Sequence, residues 1–201
     1  PSAMRVLMVY CHPVERSFNA ALRDRALAAL RSAGHEVELV DLYQEGFDPV
    51  LSTAEREAYL ADTPWVVARV QRHVDLLMRT EGLVFVYPTW WYGPPAMLKG
   101  WLERTWLPDI AFTVPKKKGE RAGAGLRHIR WLCCITTSGS PWWWLQLIRD
   151  PGRMLFVRGV RALMAKWCKV TWLQLFSMNN ATDEDRRRFL ERVERKLVAV
   201  R

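Results

Sequence analysis

Gly82-Leu83-Val84-Phe85-Val86-Tyr87-Pro88-Thr89-Trp90-Trp91-Tyr92-Gly93-Pro94-Pro95-Ala96-Met97-Leu98-Lys99-Gly100-Trp101 passes from one periodicity to another. Its first part, Gly82 to Tyr87, is wholly apolar and rich in Val, as a strand buried on both faces of a parallel sheet requires. Pro88 to Pro95 breaks the run. Ala96, Met97, Leu98, Trp101, Leu102 and Thr105 then read as a helix opening beside the prolines, where a missing N–H is harmless. Strand, loop and helix in this order form half of a parallel crossover.

The same unit recurs on both sides. Arg5 to Tyr10 predicts a strand, Cys11 to Arg16 a loop, and Ser17 an N-cap ahead of Phe18, Ala21, Leu22, Ala26, Leu30 and Ala33 at helical spacing. Gly34 stops that helix, and Glu36 to Asp41 alternates as a strand nearer the sheet edge does. After Pro49, Thr63 and Pro64 are expected to open one helix with Val67, Val70, Val74, Leu77 and Met78 on its apolar face. Pro108 to Arg130 reads as a long, basic, Gly-containing loop, a functional or mobile excursion. Trp131 to Thr137 is another core strand, and Ser138 to Pro141 ends it. Trp142 to Lys166 reads as helical in part, Val170 to Phe176 as the last strand, and Thr182 as the cap of a helix burying Phe189, Val193 and Leu197. Five alternations predict a doubly wound α/β fold, a five-stranded parallel sheet with helices on both faces, in one domain over 4–201. Ligands of such folds sit beyond the C-terminal strand ends, which singles out the loops after Tyr10, Tyr87 and Thr137.

Composition agrees with a globular chain: 201 residues, half of them hydrophobic, with eleven tryptophans. Cys11, Cys133, Cys134 and Cys168 have neither CxxC spacing nor the density of a disulfide scaffold, so a reduced, cytoplasmic setting is expected. Prolines and glycine interrupt Leu83 to Leu98, the most apolar region, so no membrane span is expected, and no metal site is either. The net charge of +9 is scattered. Only Lys116 to Lys118 and Arg186 to Arg188 form runs, the second interleaved with acids, so nucleic acid is not expected as a partner.

The first loop, Cys11 to Asn19, carries neither GxGxxG nor GxxxxGK[ST]. It does end at a helix N-terminus, where free N–H groups favour an anion and His12, Ser17 and Asn19 add donors. Taken alone, those residues describe a capped helix without a ligand equally well. The second loop is more specific. Tyr87 to Trp101 resembles the P-x-x-W-[FY]-x-x-P-A-x-L-K-x-W segment of the flavodoxin-like NAD(P)H:quinone oxidoreductases. His12 to Asn19 resembles that family's H-x(4)-S-F-N element, and Ile135 to Gly139 its T-T-G-G turn. The three segments stand in the family's order, and the resemblance runs from about Met4 to the C-terminus.

The resemblance implies a flavodoxin-like fold and a flavin, FMN by the modest chain length with FAD as the alternative, reduced by NAD(P)H and reoxidised by a quinone-like acceptor in ping-pong fashion. It implies that Ser17, Phe18 and Asn19 hold the flavin phosphate with His12 nearby, and that Pro88, Thr89, Trp90, Trp91 and Tyr92, with Thr136, Thr137, Ser138 and Gly139, surround the ring. Apolar walls and backbone donors are what a flat tricyclic ring needs. The family's Tyr and His after the T-T-G-G turn are replaced by Trp143 and Arg149 in an ungapped reading, so its charge relay is absent or altered. Arg149 could act as a fixed cation or lie at the surface; Trp142 to Trp144 could wall the acceptor pocket or bury themselves in a partner subunit. The family implies a homodimer. It also includes regulatory flavoprotein subunits of membrane transporters with little turnover, which makes a peripheral membrane partner the alternative.

Overall fold

The computed structural model describes residues 3–200; Pro1, Ser2 and Arg201, the last residue of the expected domain, lie outside the described part. The strands are β1 (Arg5–Tyr10), β2 (Glu36–Asp41), β3 (Gly82–Pro88), β4 (Phe112–Thr113), β5 (Gly123–Ala124), β6 (Trp131–Thr137) and β7 (Lys169–Leu175). The α-helices are α1 (Phe18–Ser32), α2 (Thr53–Ala61), α3 (Thr63–Ala68), α4 (Gln71–Arg79), α5 (Ala96–Thr105), α6 (Trp142–Leu147), α7 (Pro151–Met154) and α8 (Asp183–Val198). Five strands form a parallel sheet in the order β2-β1-β3-β6-β7, a flavodoxin-like α/β arrangement.

Strand pleating sorts the central side chains into two layers. Leu83, Phe85 and Tyr87 face one way, against Val74, Leu77, Leu98 and Trp101. Val84 and Val86 face the other, with Leu22, Ala26 and Leu30 of α1 and Phe189, Val193 and Leu197 of α8. Every residue of β3 and β6 is buried, which is why those two runs contain no charge. Each fully buried large side chain contributes roughly 1.5–3 kcal/mol, so the two layers dominate stability. With β2 at the edge, Glu36 and Glu38 are exposed on either side of buried Val37, and Val40 is buried further along.

Three stretches differ from the sequence reading. Thr53–Ala61 is a helix where a loop was expected; its start is a capping box in which Ser52 caps Glu55 and Glu55 caps Ser52. The single helix expected from Thr63 is two, broken at Arg69 and Val70. The break shifts the helical phase, so Val66 and Leu76 are buried while Met78 is 41% exposed. Within Pro108 to Arg130, β4 and β5 pair antiparallel, and Gly125 sits so close to Ile110 that a Cβ would lie 2.3 Å from the Ile110 carbonyl oxygen. The partly helical stretch after Pro141 resolves into α6, α7, a π-helical turn at Leu155–Val160 and a 3-10 turn at Arg161–Leu163.

Candidate active site

Ser17 caps α1: its hydroxyl accepts from the Ala20 N–H at 3.1 Å, and the Tyr10 hydroxyl lies 3.4 Å away. That bond leaves the N–H groups of Phe18 and Asn19, which precede any intrahelical acceptor, available at the positive end of the helix dipole. Asn19 is 4% exposed; its amide donates to the Thr137 hydroxyl at 3.3 Å and so ties the first loop to the end of β6. Asn19 Oδ1 is buried without a hydrogen-bond partner.

The second loop is held from both ends. The Thr89 N–H donates to the Thr137 carbonyl at 2.7 Å, and the hydroxyls of Thr89 and Thr136 lie 2.8 Å apart. Trp90 and Gly93 exchange both backbone bonds, at 3.0 and 3.1 Å, closing a tight turn. Its central residues, Trp91 and Tyr92, have φ of 49° and 63°. That pattern is a type I′ turn, costly for bulky side chains, and neither bond uses the N–H of Trp91 or Tyr92. Packing maintains it: Trp144 Nε1 donates to the Tyr92 hydroxyl at 3.2 Å, and Gly152 packs so closely that a Cβ there would come within 2.7 Å of the Tyr92 carbonyl oxygen.

The third loop is pinned to the end of β7. The Ser138 N–H donates to the Leu175 carbonyl at 2.9 Å, the Met178 N–H to the Ser138 carbonyl at 2.9 Å, and Gln174 Nε2 to the Ser138 hydroxyl at 3.1 Å. Gln174 is itself oriented by the Trp172 indole at 2.8 Å.

Together the three loops enclose a cavity of about 750 Å³ at the C-terminal ends of the strands. Twelve of the expected contact residues line it: His12, Ser17, Phe18, Asn19, Pro88, Thr89, Trp90, Trp91, Tyr92, Thr137, Ser138 and Gly139. Thr136 does not; wholly buried beneath the floor, it supports Thr89. The lining has no Asp or Glu, so the α1 N-terminus meets no competing carboxylate there. His12 leans on Trp90 with ring centroids 6.1 Å apart, and Trp91 is 96% exposed at the rim.

Trp143 and Arg149 are not among the lining residues. Helical spacing explains Trp143: α6 turns Leu145 inward, wholly buried, and leaves Trp143 62% exposed. Arg149 is exposed in a left-handed conformation, φ 62°, followed by Asp150 at φ 39°. Asp150 is buried as the cap of α7, and burial raises its carboxyl pKa against the opposing Arg153 N–H. Sequence reasoning missed Ser140, Leu145, Met178 and Asn179 in the cavity. The last two follow β7, and they reach the crevice because β7 lies beside β6, a neighbour relation that local periodicity does not encode.

Among the described residues no group of acidic, His or Cys side chains could hold a metal ion, and no helix is long and apolar enough to cross a membrane.

Comparison with known proteins agrees with this geometry. A family model described as a flavodoxin-like fold matches residues 4–199. The NAD(P)H dehydrogenase [quinone] 1 of Cavia porcellus is 32% identical over 151 residues, covering 68% of this chain and 54% of that protein. An uncharacterized NAD(P)H oxidoreductase of Haemophilus influenzae is 32% identical over 121 residues, covering 60% of this chain and 58% of that protein. The chain thus spans little more than half the length of these curated relatives. Among solved structures, Smu.1420 from Streptococcus mutans UA159 superposes with TM-score 0.85 at 30% identity, covering 98% of this chain and 100% of that one. The NAD(P)H:quinone oxidoreductase from Methanothermobacter marburgensis superposes with TM-score 0.85 at 25% identity over all of both chains. With fold, loops and relatives in agreement, the chain belongs to the flavodoxin-like family that includes the NAD(P)H:quinone oxidoreductases.

Proposed function

We propose that the chain is a flavin-dependent oxidoreductase that carries electrons from NAD(P)H to a quinone or similar acceptor, with residues 4–201 acting as one flavin-binding domain. The observation that carries this reading is the cavity itself, where the ends of β1, β3 and β6 bring a helix N-terminus, an aromatic turn and a Thr-rich floor to one opening. The residues fit a flavin: Asn19 Oδ1 is a buried acceptor awaiting a donor beside the floor, and the α1 N-terminus suits a phosphate. Bound flavin would supply two-electron chemistry, accepting from the nicotinamide and returning to the acceptor in a ping-pong cycle.

The chain's own residues bind, orient and shield. Ser17 fixes the start of α1, so that the N–H groups of Phe18 and Asn19 point at an anion. The strained Trp90 to Gly93 turn presents two unused N–H groups, and rigid placement of such donors stabilises charge that develops on reduction. Leu145, Phe18 and Trp90 supply the apolar part of the lining against which a flat ring would pack. FMN is the form favoured here over FAD. The cavity adjoining His12 is lined by Glu15, Asp24 and Asp41 against one cation, Arg23, which is already paired with both aspartates, so the excess of negative charge disfavours a second phosphate. Trp142, Trp143 and Leu147, all exposed beside the opening, supply an apolar face for a homodimer, and the four free cysteines suit a reducing cytoplasm.

The test is the flavin content of the purified protein by absorbance and mass, followed by NAD(P)H oxidation with menadione as acceptor. Stoichiometric FMN and parallel-line kinetics are expected. Protein that takes up neither FMN nor FAD refutes the reading. Bound flavin without turnover transfers it to the regulatory transporter subunit.

A further inference from the structure

The opposite end of the sheet carries a second depression of about 930 Å³. Met4, Trp131, Val157 and Val170 form part of its wall, and Arg130, Arg161, Lys169 and Lys196 stand around it. It shares Val157 and Arg161 with a neighbouring depression of about 480 Å³, which adds Arg158 and Lys166. No Asp or Glu lines either one. Arg130 is paired with Glu81 at 3.3 Å, and Arg161 Nε donates to the Cys168 carbonyl at 2.9 Å. Arg158, Lys166, Lys169 and Lys196 have no carboxylate within ion-pair distance among the described residues. The contrast with α8 is direct, since Arg186, Arg187 and Arg188 are each matched by Asp183 or Glu184.

Trp167 lines the larger depression together with Arg130, Arg161, Lys169 and Lys196 and is 81% exposed, with the Lys166 ammonium 5.3 Å from its ring centroid. A large indole in water, sharing its surroundings with several cations that repel one another, is unfavourable as free surface. Its complement is negative at the level of the cations and apolar just beneath. We propose that this face docks on an anionic lipid bilayer, with Trp167 seated at headgroup depth and the surrounding cations against lipid phosphates. Tryptophan favours that interface, and each basic residue near such a surface contributes about 1 kcal/mol. A phosphodiester polymer would match the charge but would leave Trp167 and the partly exposed Val157 and Val170 without apolar cover.

The orientation follows from the sheet. Strands β6 and β7 begin at Trp131 and Lys169 on this face and end at Thr137 and Leu175 beside the cavity. Seven-residue strands at about 3.3 Å per residue hold the cavity roughly 20 Å away, open to solution in the docked state.

The experiment is co-sedimentation of the full chain with vesicles of phosphatidylcholine alone or mixed with phosphatidylglycerol, at low and high salt. Binding is expected only to the mixed vesicles, and salt should weaken it. Replacing Lys169→Gln and Lys196→Gln together should reduce affinity about thirtyfold, which is about 1 kcal/mol per cation. Trp167→Ala should weaken binding with charge unchanged, while Lys117→Gln with Lys118→Gln should leave it intact. Unchanged far-UV circular dichroism establishes that the variants, all at exposed positions, remain folded. Equal sedimentation with neutral vesicles, or indifference to the Lys169 and Lys196 changes, overturns the proposal. So does tighter, variant-sensitive binding to duplex DNA.

Discussion

Ser17 is where stability and ligand binding can be pulled apart. Its hydroxyl accepts the Ala20 N–H at 3.1 Å, and in the proposed reading it also faces the flavin phosphate. Ser17→Ala removes both roles. Loss of an N-cap is worth about 1 kcal/mol, and for a chain of this size that lowers Tm by roughly 2–4 °C. Loss of a hydrogen bond to a charged group is worth about 1.5–3 kcal/mol, or roughly 10- to 150-fold in the Kd for FMN. Ser17→Asp separates the two. Aspartate is as good a cap and suits the helix dipole, so the flavin-free protein should melt at or above the wild-type temperature. The same carboxylate would stand against the phosphate. At about 4 Å and an effective dielectric of about 20, like charges repel by about 4 kcal/mol, nearly three orders of magnitude in Kd. The assay is a thermal melt of the apo-protein paired with an FMN titration by quenching of flavin fluorescence. A Ser17→Asp protein that melts like wild type and binds FMN just as tightly would refute phosphate binding at α1.

Further outcomes follow from the packing. Thr137→Val leaves the buried Asn19 amide without its acceptor, so stability should fall by about 1–3 kcal/mol in denaturant titration, with loops one and three loosened together. Glu55→Ala strands the buried Arg104 guanidinium and should remove about 3–5 kcal/mol, read from the urea midpoint. Burial raises the Glu55 carboxyl, but the Ser52 hydroxyl and N–H together with Arg104 outweigh it and hold the pKa below the ordinary value. Its contribution is therefore complete above the unfolded value of about 4.3 and is lost as pH falls through the folded one. Glu55→Gln should flatten the acid limb of the stability profile. Gly100→Ala would place a Cβ 2.3 Å from the Pro49 carbonyl oxygen, so it should lower stability by about 1–3 kcal/mol in the same titration. All four cysteines are buried, and desolvation pushes Cys11 up to about 12 and Cys168 up to about 11. The native protein should be inert to a disulfide reagent at mildly alkaline pH and expose four thiols on unfolding.

The cavity face was legible because loops that follow parallel strands must converge. Ser17, Asn19, Thr89 and Thr137 were readable one loop at a time, each at the end of a run whose periodicity was unambiguous. Met178 and Asn179 were not, since their membership depends on β7 lying next to β6. The helix at Thr53–Ala61 was concealed for another reason: its apolar Leu60 faces solvent, and its buried anchor is a carboxylate, Glu55, made acceptable in the interior by Ser52 and the distant Arg104.

What the sequence determined by itself was the layering, because unbroken apolar runs such as Leu83 to Tyr87 and Leu132 to Ile135 have no stable home except between two sheets of helices. Tertiary structure decided which side chains face the opening. The sequence reading singled out Trp143, whereas the seating of α6 on the body of the protein turns Leu145 inward and Trp143 out. It likewise decided the left-handed turn at Trp91 and Tyr92, a conformation that these residues do not choose alone. Contacts from Trp144 and Gly152, distant along the chain, hold it there.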